Sequence, residues 1–199
     1  MRSDSWLTGW YYNRIAVVTG GNKGIGLEVC RQLVSNGVTV VLTAIDEKMA
    51  REAVEKLKGQ ELSNVLSHQL EITDASRIDR LADFLKTRFG KLDILVNNAA
   101  VSGVEYAQDP VDGWFSNERE KGEFSGMDRD QRLEWLWRSC RETYDAAKEG
   151  LQTNYYGTKH VIETFRPLLQ AASDGRIVNV SSDFGLIESV NTRCRSSES

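Results

Sequence analysis

The stretch Ile15-Ala-Val-Val-Thr-Gly-Gly-Asn-Lys-Gly-Ile-Gly26 joins a short β-branched run to a glycine-rich turn. Apolar residues at positions 25, 29 and 33 then recur at helical spacing, which predicts an amphipathic helix directly after the turn. Gly20 would permit the tight turn, and Gly24 and Gly26 would let the backbone approach a pyrophosphate at the helix N-terminus. The alternative is a glycine turn that only packs a helix on a strand. The glycine cluster lies between the first strand and an amphipathic helix, and this position favours the interpretation as a phosphate-binding loop.

Beyond this stretch, apolar runs alternate with amphipathic helical patterns. The predicted strands cover residues 15–18, 38–42, 65–70, 92–96 and 177–180, and the helices between the first four include 47–57 and a segment from Asp74 to Gly90. Strands that are apolar on both faces and separated by helices indicate a parallel sheet that is covered on both sides. We therefore predict an α/β fold with a doubly wound, Rossmann-type parallel sheet and helices on both faces.

The regular alternation stops after the fourth strand. Residues 102–130 carry scattered glycines, a proline and many charges, and they are too long for an ordinary βα loop. A long helical pattern follows from Leu133 to Leu169; it is predicted to be interrupted at Gly150 and kinked or ended at Pro167. The predicted organisation is a dinucleotide-binding Rossmann domain over residues 1–185, with an insertion at about 102–130, and an irregular tail over residues 186–199.

Two further polar motifs follow strands and lie on the same predicted rim of the sheet. Asn97-Asn98-Ala99-Ala100 follows the fourth strand, and Ser181-Ser182 follows the fifth. Ligands of open α/β sheets bind beyond the carboxyl ends of the strands, where the strand order reverses. Amides there can bond a nucleotide or brace neighbouring backbone; we predict the bracing role for Asn97 and a ligand contact for Asn98. A serine pair at a strand end is usually only a turn, but two other rim motifs beside it favour a site.

Together these motifs resemble those of the short-chain dehydrogenase/reductase family, in its carbonyl-reductase-like branch. The matching segments are Thr19-Gly-Gly-Asn-Lys-Gly-Ile-Gly26, Asn97-Asn-Ala99, Asn154-Tyr-Tyr-Gly157 and Asn179-Val-Ser-Ser182, in the family's order and separations. The resemblance implies a Rossmann fold, a nicotinamide cofactor, and hydride exchange between that cofactor and a carbonyl or alcohol. The positions that it assigns to cofactor binding are Gly20, Asn22, Lys23, Gly24, Ile25, Gly26, Glu71, Ile72, Asn98 and Ala99.

The resemblance also implies a catalytic set of Asn, Ser, Tyr and Lys. Asn154 matches the family Asn, which would hold a water in the proton path, and Ser182 matches the family Ser, which would polarise the carbonyl. The family's Tyr-x-x-x-Lys should follow the Ser, but residues 183–199 contain neither Tyr nor Lys. Tyr155 and Lys159 have that spacing yet precede the Ser, and we interpret Tyr155 as part of the apolar helix stripe. We therefore expect a C-terminally truncated chain that lacks the family's last strands and catalyses poorly or not at all.

Cofactor choice depends on the residues that follow the second strand. Members of this branch usually carry Arg where Ile45 stands, to bind the 2′-phosphate of NADP. Lys23 could supply part of that charge, and Asp46, which could otherwise favour NAD, is interpreted as a helix cap. Glu71 stands where an Asp commonly contacts adenine, and Ala100 replaces the usual Gly. NADP is the predicted cofactor and NAD is the alternative.

Composition limits the partners of the chain. The net charge of −4 and the isoelectric point of about 5.4 argue against non-specific nucleic-acid binding, which needs a basic surface. The three cysteines are far apart and show no metal-ligand spacing, and no apolar segment is long enough to span a membrane. We predict a cytosolic protein that acts on a small-molecule carbonyl or alcohol, with no metal, nucleic-acid or membrane partner. The oligomeric state, a monomer included, stays open.

Three functions are weighed on these features. The first is an NADP-dependent oxidoreductase that reduces a carbonyl of a small, terpenoid- or alkaloid-like substrate. The alternative is a truncated, catalytically inactive dinucleotide-binding or regulatory protein, which the absent Tyr and Lys favour. The third is a methyltransferase that uses S-adenosylmethionine, and the combination of Asn97-Asn98-Ala99 with Ser181-Ser182 counts against it. The oxidoreductase is the predicted function.

Overall fold

The computed structural model describes residues 14–106, 126, 128, 131, 140–141 and 143–181. The predicted catalytic Ser182, the predicted tail and most of the predicted insertion lie outside these described residues. The predicted division into a domain, an insertion and a tail therefore stays a prediction.

Strands and helices alternate along the described chain, and their bounds are close to the predicted ones. The first half contains, in chain order, β1 (Ile15–Val18), α1 (Gly24–Ser35), β2 (Thr39–Ala44), α2 (Glu47–Lys58), β3 (Val65–Gln69), α3 (Ala75–Phe89) and β4 (Ile94–Asn97). The second half contains β5 (Glu105–Tyr106), β6 (Cys140–Arg141), α4 (Tyr144–Gly150), a π-helical segment (Leu151–Gly157), α5 (Thr158–Gln170) and β7 (Arg176–Asn179).

Five of the described strands form one parallel sheet in the order β3-β2-β1-β4-β7. Ile15 in β1 pairs with Thr39 in β2 on one side, and Ala16 pairs with Ile94 in β4 on the other. The chain thus builds outward from β1 to β3 and then returns to the opposite side of β1. The strand order reverses between β1 and β4, which places the expected ligand crevice at their carboxyl ends. The predicted doubly wound α/β fold is confirmed.

The core lies on both faces of this sheet, because successive side chains of β1 point in opposite directions. Ile15 and Val17 pack into a cluster that contains the buried residues of α3 and α5, including Phe165. Ala16 and Val18 pack into a second cluster with the buried residues of α1 and α2. Helices therefore cover both faces, as the uniformly apolar strands predict.

Carboxylate caps determine where two of the helices begin. Asp46 accepts the backbone N–H of Met49 at 3.0 Å and begins α2, so the interpretation of Asp46 as a cap is confirmed. Asp74 accepts the backbone N–H groups of Ser76 and Arg77 and begins α3. Gly90 ends α3 in the left-handed conformation, with φ 71°.

The long helical pattern from Leu133 to Leu169 is only partly helical in the structure. Cys140–Arg141 instead pairs antiparallel with Glu105–Tyr106, and Thr143 then caps a new helix through the N–H of Ala146. Cross-strand pairing has thus overridden the local helical period at Cys140. From Tyr144 the backbone stays helical to Gln170, and Pro167 lies inside the last turn of α5. Among the described helices, none combines the length and apolar character that a membrane span requires.

Candidate functional site

The glycine-rich turn leaves open space at Gly24. Gly20 and Gly24 have φ values of 62° and 53°, in the left-handed region that favours glycine. A Cβ atom built on Gly24 would have no heavy atom of the surrounding described chain within 4 Å. A side chain at position 24 is therefore excluded by no protein neighbour, and the space beside its Cα is free for a ligand.

Gly26, unlike Gly24, is closely surrounded by protein atoms. A Cβ atom there would lie 2.4 Å from the carbonyl oxygen of Gly20 and 2.5 Å from Nδ2 of Asn98. Gly26 is buried and lets the first turn of α1 pack directly against the loop. The small size of Gly26 is therefore needed inside the protein, and its predicted part in letting the backbone approach a pyrophosphate stays a prediction.

Thr19 anchors the loop to the end of β4. Its hydroxyl oxygen accepts hydrogen bonds from the backbone N–H of Asn98 at 2.9 Å and from that of Ala99 at 3.0 Å. On the opposite side, the N–H of Gly21 donates to the carbonyl of Thr43 in β2 at 2.8 Å. Thr19 is 1% exposed and is absent from the predicted site residues, although it opens the glycine motif that could have indicated it.

The two asparagines at the end of β4 both hold neighbouring parts of the chain together. Nδ2 of Asn97 donates to Oδ1 of Asn179 at 2.9 Å, a side-chain contact that ties β4 to β7, and the predicted bracing of backbone by Asn97 stays a prediction. Nδ2 of Asn98 donates to the carbonyl oxygens of Thr19 and Gly20, each at 3.0 Å. The amide nitrogen of Asn98 therefore holds the loop in shape, and the expected ligand contact of Asn98 stays a prediction.

The N-terminus of α1 is suited to an anion. α1 begins after Lys23, without a side-chain cap and without an acidic residue in its first turn, whereas Asp46, Asp74 and Thr143 cap α2, α3 and α4. The first N–H groups of a helix lack intrahelical partners and carry partial positive charge. An anion bound beside Gly24 would meet these groups, which is the arrangement that binds phosphates in dinucleotide folds.

The predicted adenosine side lies beyond β2 and β3. Ile45 is 64% exposed, and its carbonyl accepts Nε2 of Gln69 at 2.8 Å. Glu71 accepts the hydroxyl of Thr73 at 3.0 Å. Ile72 is buried, and a Cβ atom on Gly157 would lie 2.9 Å from its carbonyl oxygen. This close approach packs the end of the π-helical segment against the chain that follows β3.

Asn154 is tied to the backbone next to the predicted rim. Its Oδ1 accepts the N–H of Val101 and its Nδ2 donates to the carbonyl of Val101, both at 2.9 Å. Asn154 lies in the π-helical segment, a distortion that is frequent at functional sites. The amide therefore holds this segment against Val101, and the water that the resemblance assigns to Asn154 stays a prediction.

Tyr155 does not belong to the buried stripe of the helix. It is 55% exposed and forms an edge-to-face contact with Tyr156, with ring centroids 5.0 Å apart. The buried face is formed instead by residues such as Val161 and Phe165, because the π-helical segment changes the phase of the helical repeat. Lys159 pairs with Glu163 at 3.9 Å on its own helix.

Cys30 packs beneath the loop. Its Sγ would lie 3.0 Å from a Cβ atom on Gly21. Burial raises the pKa of the Cys30 thiol to about 12, because the thiolate would lose its hydration. The thiol is therefore neutral at physiological pH and acts as an apolar side chain.

Comparisons with known proteins agree with this geometry. A family model described as short chain dehydrogenase matches residues 14–116. Salutaridine reductase of Papaver somniferum is 48% identical over 181 residues, which cover 89% of this chain and 57% of that protein. A solved structure of salutaridine reductase from Papaver somniferum has a TM-score of 0.75 at 47% identity, covering 88% of this chain and 59% of that one.

Two further relatives widen the comparison. The (+)-neomenthol dehydrogenase of Capsicum annuum is 44% identical, covering 88% of this chain and 58% of that protein. Carbonyl reductase (NADPH) 1 of Bos taurus is 35% identical, covering 85% of this chain and 49% of that protein. The chain thus spans between 49% and 58% of the length of these three relatives.

Proposed function

The chain belongs to the short-chain dehydrogenase family, and on that basis we propose that it is an NADP-dependent oxidoreductase of a small carbonyl compound. The observation that carries this proposal is the phosphate loop, with open space at Gly24 beside the uncapped N-terminus of α1. The names of the salutaridine and neomenthol relatives favour an alkaloid- or terpenoid-like substrate.

The residues present fit a dinucleotide. The pyrophosphate would lie beside Gly24 and receive the first N–H groups of α1, while Thr19 and Asn98 keep the loop in shape. Of the predicted cofactor residues, Gly20, Asn22 and Lys23 belong to the glycine-rich turn, Ile25 lies in the first turn of α1, and Glu71 and Ile72 follow β3. When bound, the nicotinamide supplies or accepts the hydride.

The catalytic roles are proposed for this chain's own residues. Asn154 holds the π-helical segment against Val101 and so keeps the helix close to the carboxyl end of β4. Ser182 follows β7, whose last residue Asn179 is tied to Asn97, and its hydroxyl would donate a hydrogen bond to the carbonyl oxygen of the substrate. Such a hydrogen bond polarises the carbonyl before hydride reaches its carbon.

NADP is proposed over NAD. The name of the bovine relative specifies NADPH, and Lys23 adds positive charge at the start of α1. A cytosolic location, a small-molecule partner and the absence of a nucleic-acid partner belong to the same proposal, and the net charge of −4 agrees with the last of these.

A second candidate function is a dinucleotide-binding or regulatory protein without turnover. The observation that favours it, for these 199 residues taken alone, is that positions 183–199 contain neither Tyr nor Lys, which are the residue types of the family's proton-transfer pair. Both candidates require the cofactor site, and they differ only in catalysis.

Titration of the 199-residue protein with NADPH, followed by the fluorescence of the nicotinamide, tests the proposal. Saturable binding that NADP displaces is expected. A protein that is folded by circular dichroism and yet binds neither NADPH nor NADH would overturn both candidate functions. Hydride transfer to ketones and aldehydes then separates them.

A further inference from the structure

The guanidinium of Arg77 in α3 lies next to the carboxyl end of β2. In dinucleotide folds this strand end receives the adenosine ribose, where an arginine accommodates the 2′-phosphate of NADP. Ile45 occupies that position and carries no charge. Nη1 of Arg77, however, lies 3.5 Å from the carbonyl oxygen of Ile45, although the two residues are 32 positions apart in sequence. The tertiary structure therefore supplies a guanidinium where position 45 lacks one.

Arg77 is also held by the carboxylate that begins its own helix. Its Nε donates to Oδ2 of Asp74 at 3.1 Å, and its backbone N–H faces the other oxygen of the same carboxylate at 3.3 Å. Ser76 also donates to Asp74, and this hydrogen bond is the largest cause that lowers the pKa of the Asp74 carboxyl. A guanidinium has five N–H donors in a planar fork, so its two Nη groups can still donate a pair of hydrogen bonds to a phosphate.

The carboxylates near this strand end already have protein donors. Asp46 is bound by the N–H of Met49 as the cap of α2, and Asp74 is bound by Ser76 and Arg77. Gln69 holds the Ile45 carbonyl at 2.8 Å, which fixes the backbone that Arg77 approaches. The Arg77 side chain is 33% exposed, so its outer edge can reach a ligand on the rim.

We propose that Arg77 is the specificity-determining residue that binds the 2′-phosphate of NADP in this chain, in place of a cation at position 45. This inference rests on the proposed binding of a nicotinamide dinucleotide, and it names the group that favours NADP over NAD. The contact would be a charge-assisted, forked hydrogen bond from the two Nη groups to the phosphate oxygens.

The test is a set of binding titrations with NADPH, NADH, 2′,5′-ADP and 5′-AMP, which do not depend on turnover. Arg77→Gln should lower the affinity for NADPH and for 2′,5′-ADP by about tenfold or more, because one charge-assisted contact is lost. The same substitution should leave the affinities for NADH and 5′-AMP unchanged, because neither ligand carries the 2′-phosphate. Arg80→Gln is the matched control, since Arg80 lies on the same helix and contacts Ser76 rather than the end of β2.

Two further variants keep the inference falsifiable. Ile45→Arg in the Arg77→Gln background should restore NADPH affinity. Arg77→Lys keeps the charge but loses the fork, so its NADPH affinity should lie between those of the parent and Arg77→Gln. An NADPH to NADH affinity ratio that Arg77→Gln leaves unchanged, in a folded protein, would overturn the role of Arg77. A parent protein that binds neither dinucleotide would instead overturn the proposed function, and this inference with it.

Discussion

Gly26 lies against Asn98 so closely that a Cβ atom on the glycine would come within 2.5 Å of the amide nitrogen of the asparagine. That nitrogen already donates to the carbonyls of Thr19 and Gly20. Gly26 and Asn98 therefore determine the shape of the glycine-rich turn from inside the protein. Gly24, two residues earlier, faces open space. The two glycines should consequently respond differently to substitution.

Gly24→Val should abolish NADPH binding, because the branched side chain would fill the space proposed for the pyrophosphate. Fluorescence titration measures this loss. Gly90→Val is the matched control: Gly90 also has positive φ and no neighbour within 4 Å of a Cβ, but it ends α3. Both substitutions should lower the folding stability by a comparable amount, and only Gly24→Val should lose NADPH binding. Equal NADPH affinity in Gly24→Val and the parent would contradict the assignment of the loop.

Gly26→Ala should destabilise the fold as well as weaken binding. The added methyl group would collide with backbone and with Asn98, and such overpacking typically costs about 1–3 kcal/mol. Urea denaturation measures the change in the free energy of unfolding. Gly59→Ala serves as the control, since a Cβ atom there has its first contacts at 3.5 Å. If the two alanine variants prove equally stable, the close approach at Gly26 is not a constraint on the fold.

Ile45→Arg should improve NADPH binding relative to NADH. A guanidinium at the end of β2 could add a forked contact to the 2′-phosphate, and a charge-assisted hydrogen bond corresponds to a gain of about tenfold or more. Parallel titrations with both cofactors measure the ratio. An unchanged ratio would show that the side chain at position 45 points away from the phosphate.

The 199 residues should oxidise NADPH slowly or not at all with ketones and aldehydes. No Tyr follows Ser182 in this sequence, and general-acid catalysis typically contributes about 10²–10⁴-fold. A version extended by a family-type segment with Tyr-x-x-x-Lys should recover turnover, measured by the loss of NADPH absorbance.

In that extended protein, Ser182→Ala should remove most of the activity and Tyr155→Phe should have little effect. Tyr155 is exposed and contacts Tyr156, and Lys159 pairs with Glu163. Brisk turnover by the 199 residues that Tyr155→Phe eliminates would instead identify Tyr155 and Lys159 as the catalytic pair.

Cys30 should resist thiol reagents in the folded protein. Its pKa of about 12 keeps the thiolate scarce up to strongly alkaline pH, whereas an unfolded cysteine titrates near about 8.5. Because the folded pKa is the higher one, the stabilising contribution of the neutral thiol is present below about pH 8.5. It is lost as pH rises toward the folded pKa of about 12.

Labelling of a Cys140→Ser, Cys194→Ser background at pH 8, with and without urea, measures the reactivity of Cys30. Cys30→Ala in the same background is the control for reactions at other groups. Rapid labelling of the folded protein would show that the Sγ of Cys30 is accessible. Stability between pH 8 and 11 should fall more steeply in the parent background than in Cys30→Ala.

The fold could be predicted from the sequence because its signals are local. The β-branched run at residues 15–18, the glycines at 20, 24 and 26 and the spacing of apolar residues in α1 together define a β-turn-α unit within about twenty residues. Asp46 and Asp74 could be recognised as caps for the same reason, since each carboxylate bonds N–H groups two or three residues ahead. Cys140 marks the limit of such patterns, because its strand partner Tyr106 is distant in sequence.

The direction of each site side chain was decided only by the tertiary structure. Asn98 turns toward Thr19, 79 positions away, because β1 and β4 are neighbours in the sheet. Asn154 likewise binds Val101 across 53 positions. Local sequence specifies the backbone hydrogen bonds within an element, but the partner of a polar side chain depends on which strand ends the sheet order brings together. The sequence by itself determined the glycine-rich turn and the sheet, while the packing of β2 beside β3 and α3 brought Arg77 to Ile45.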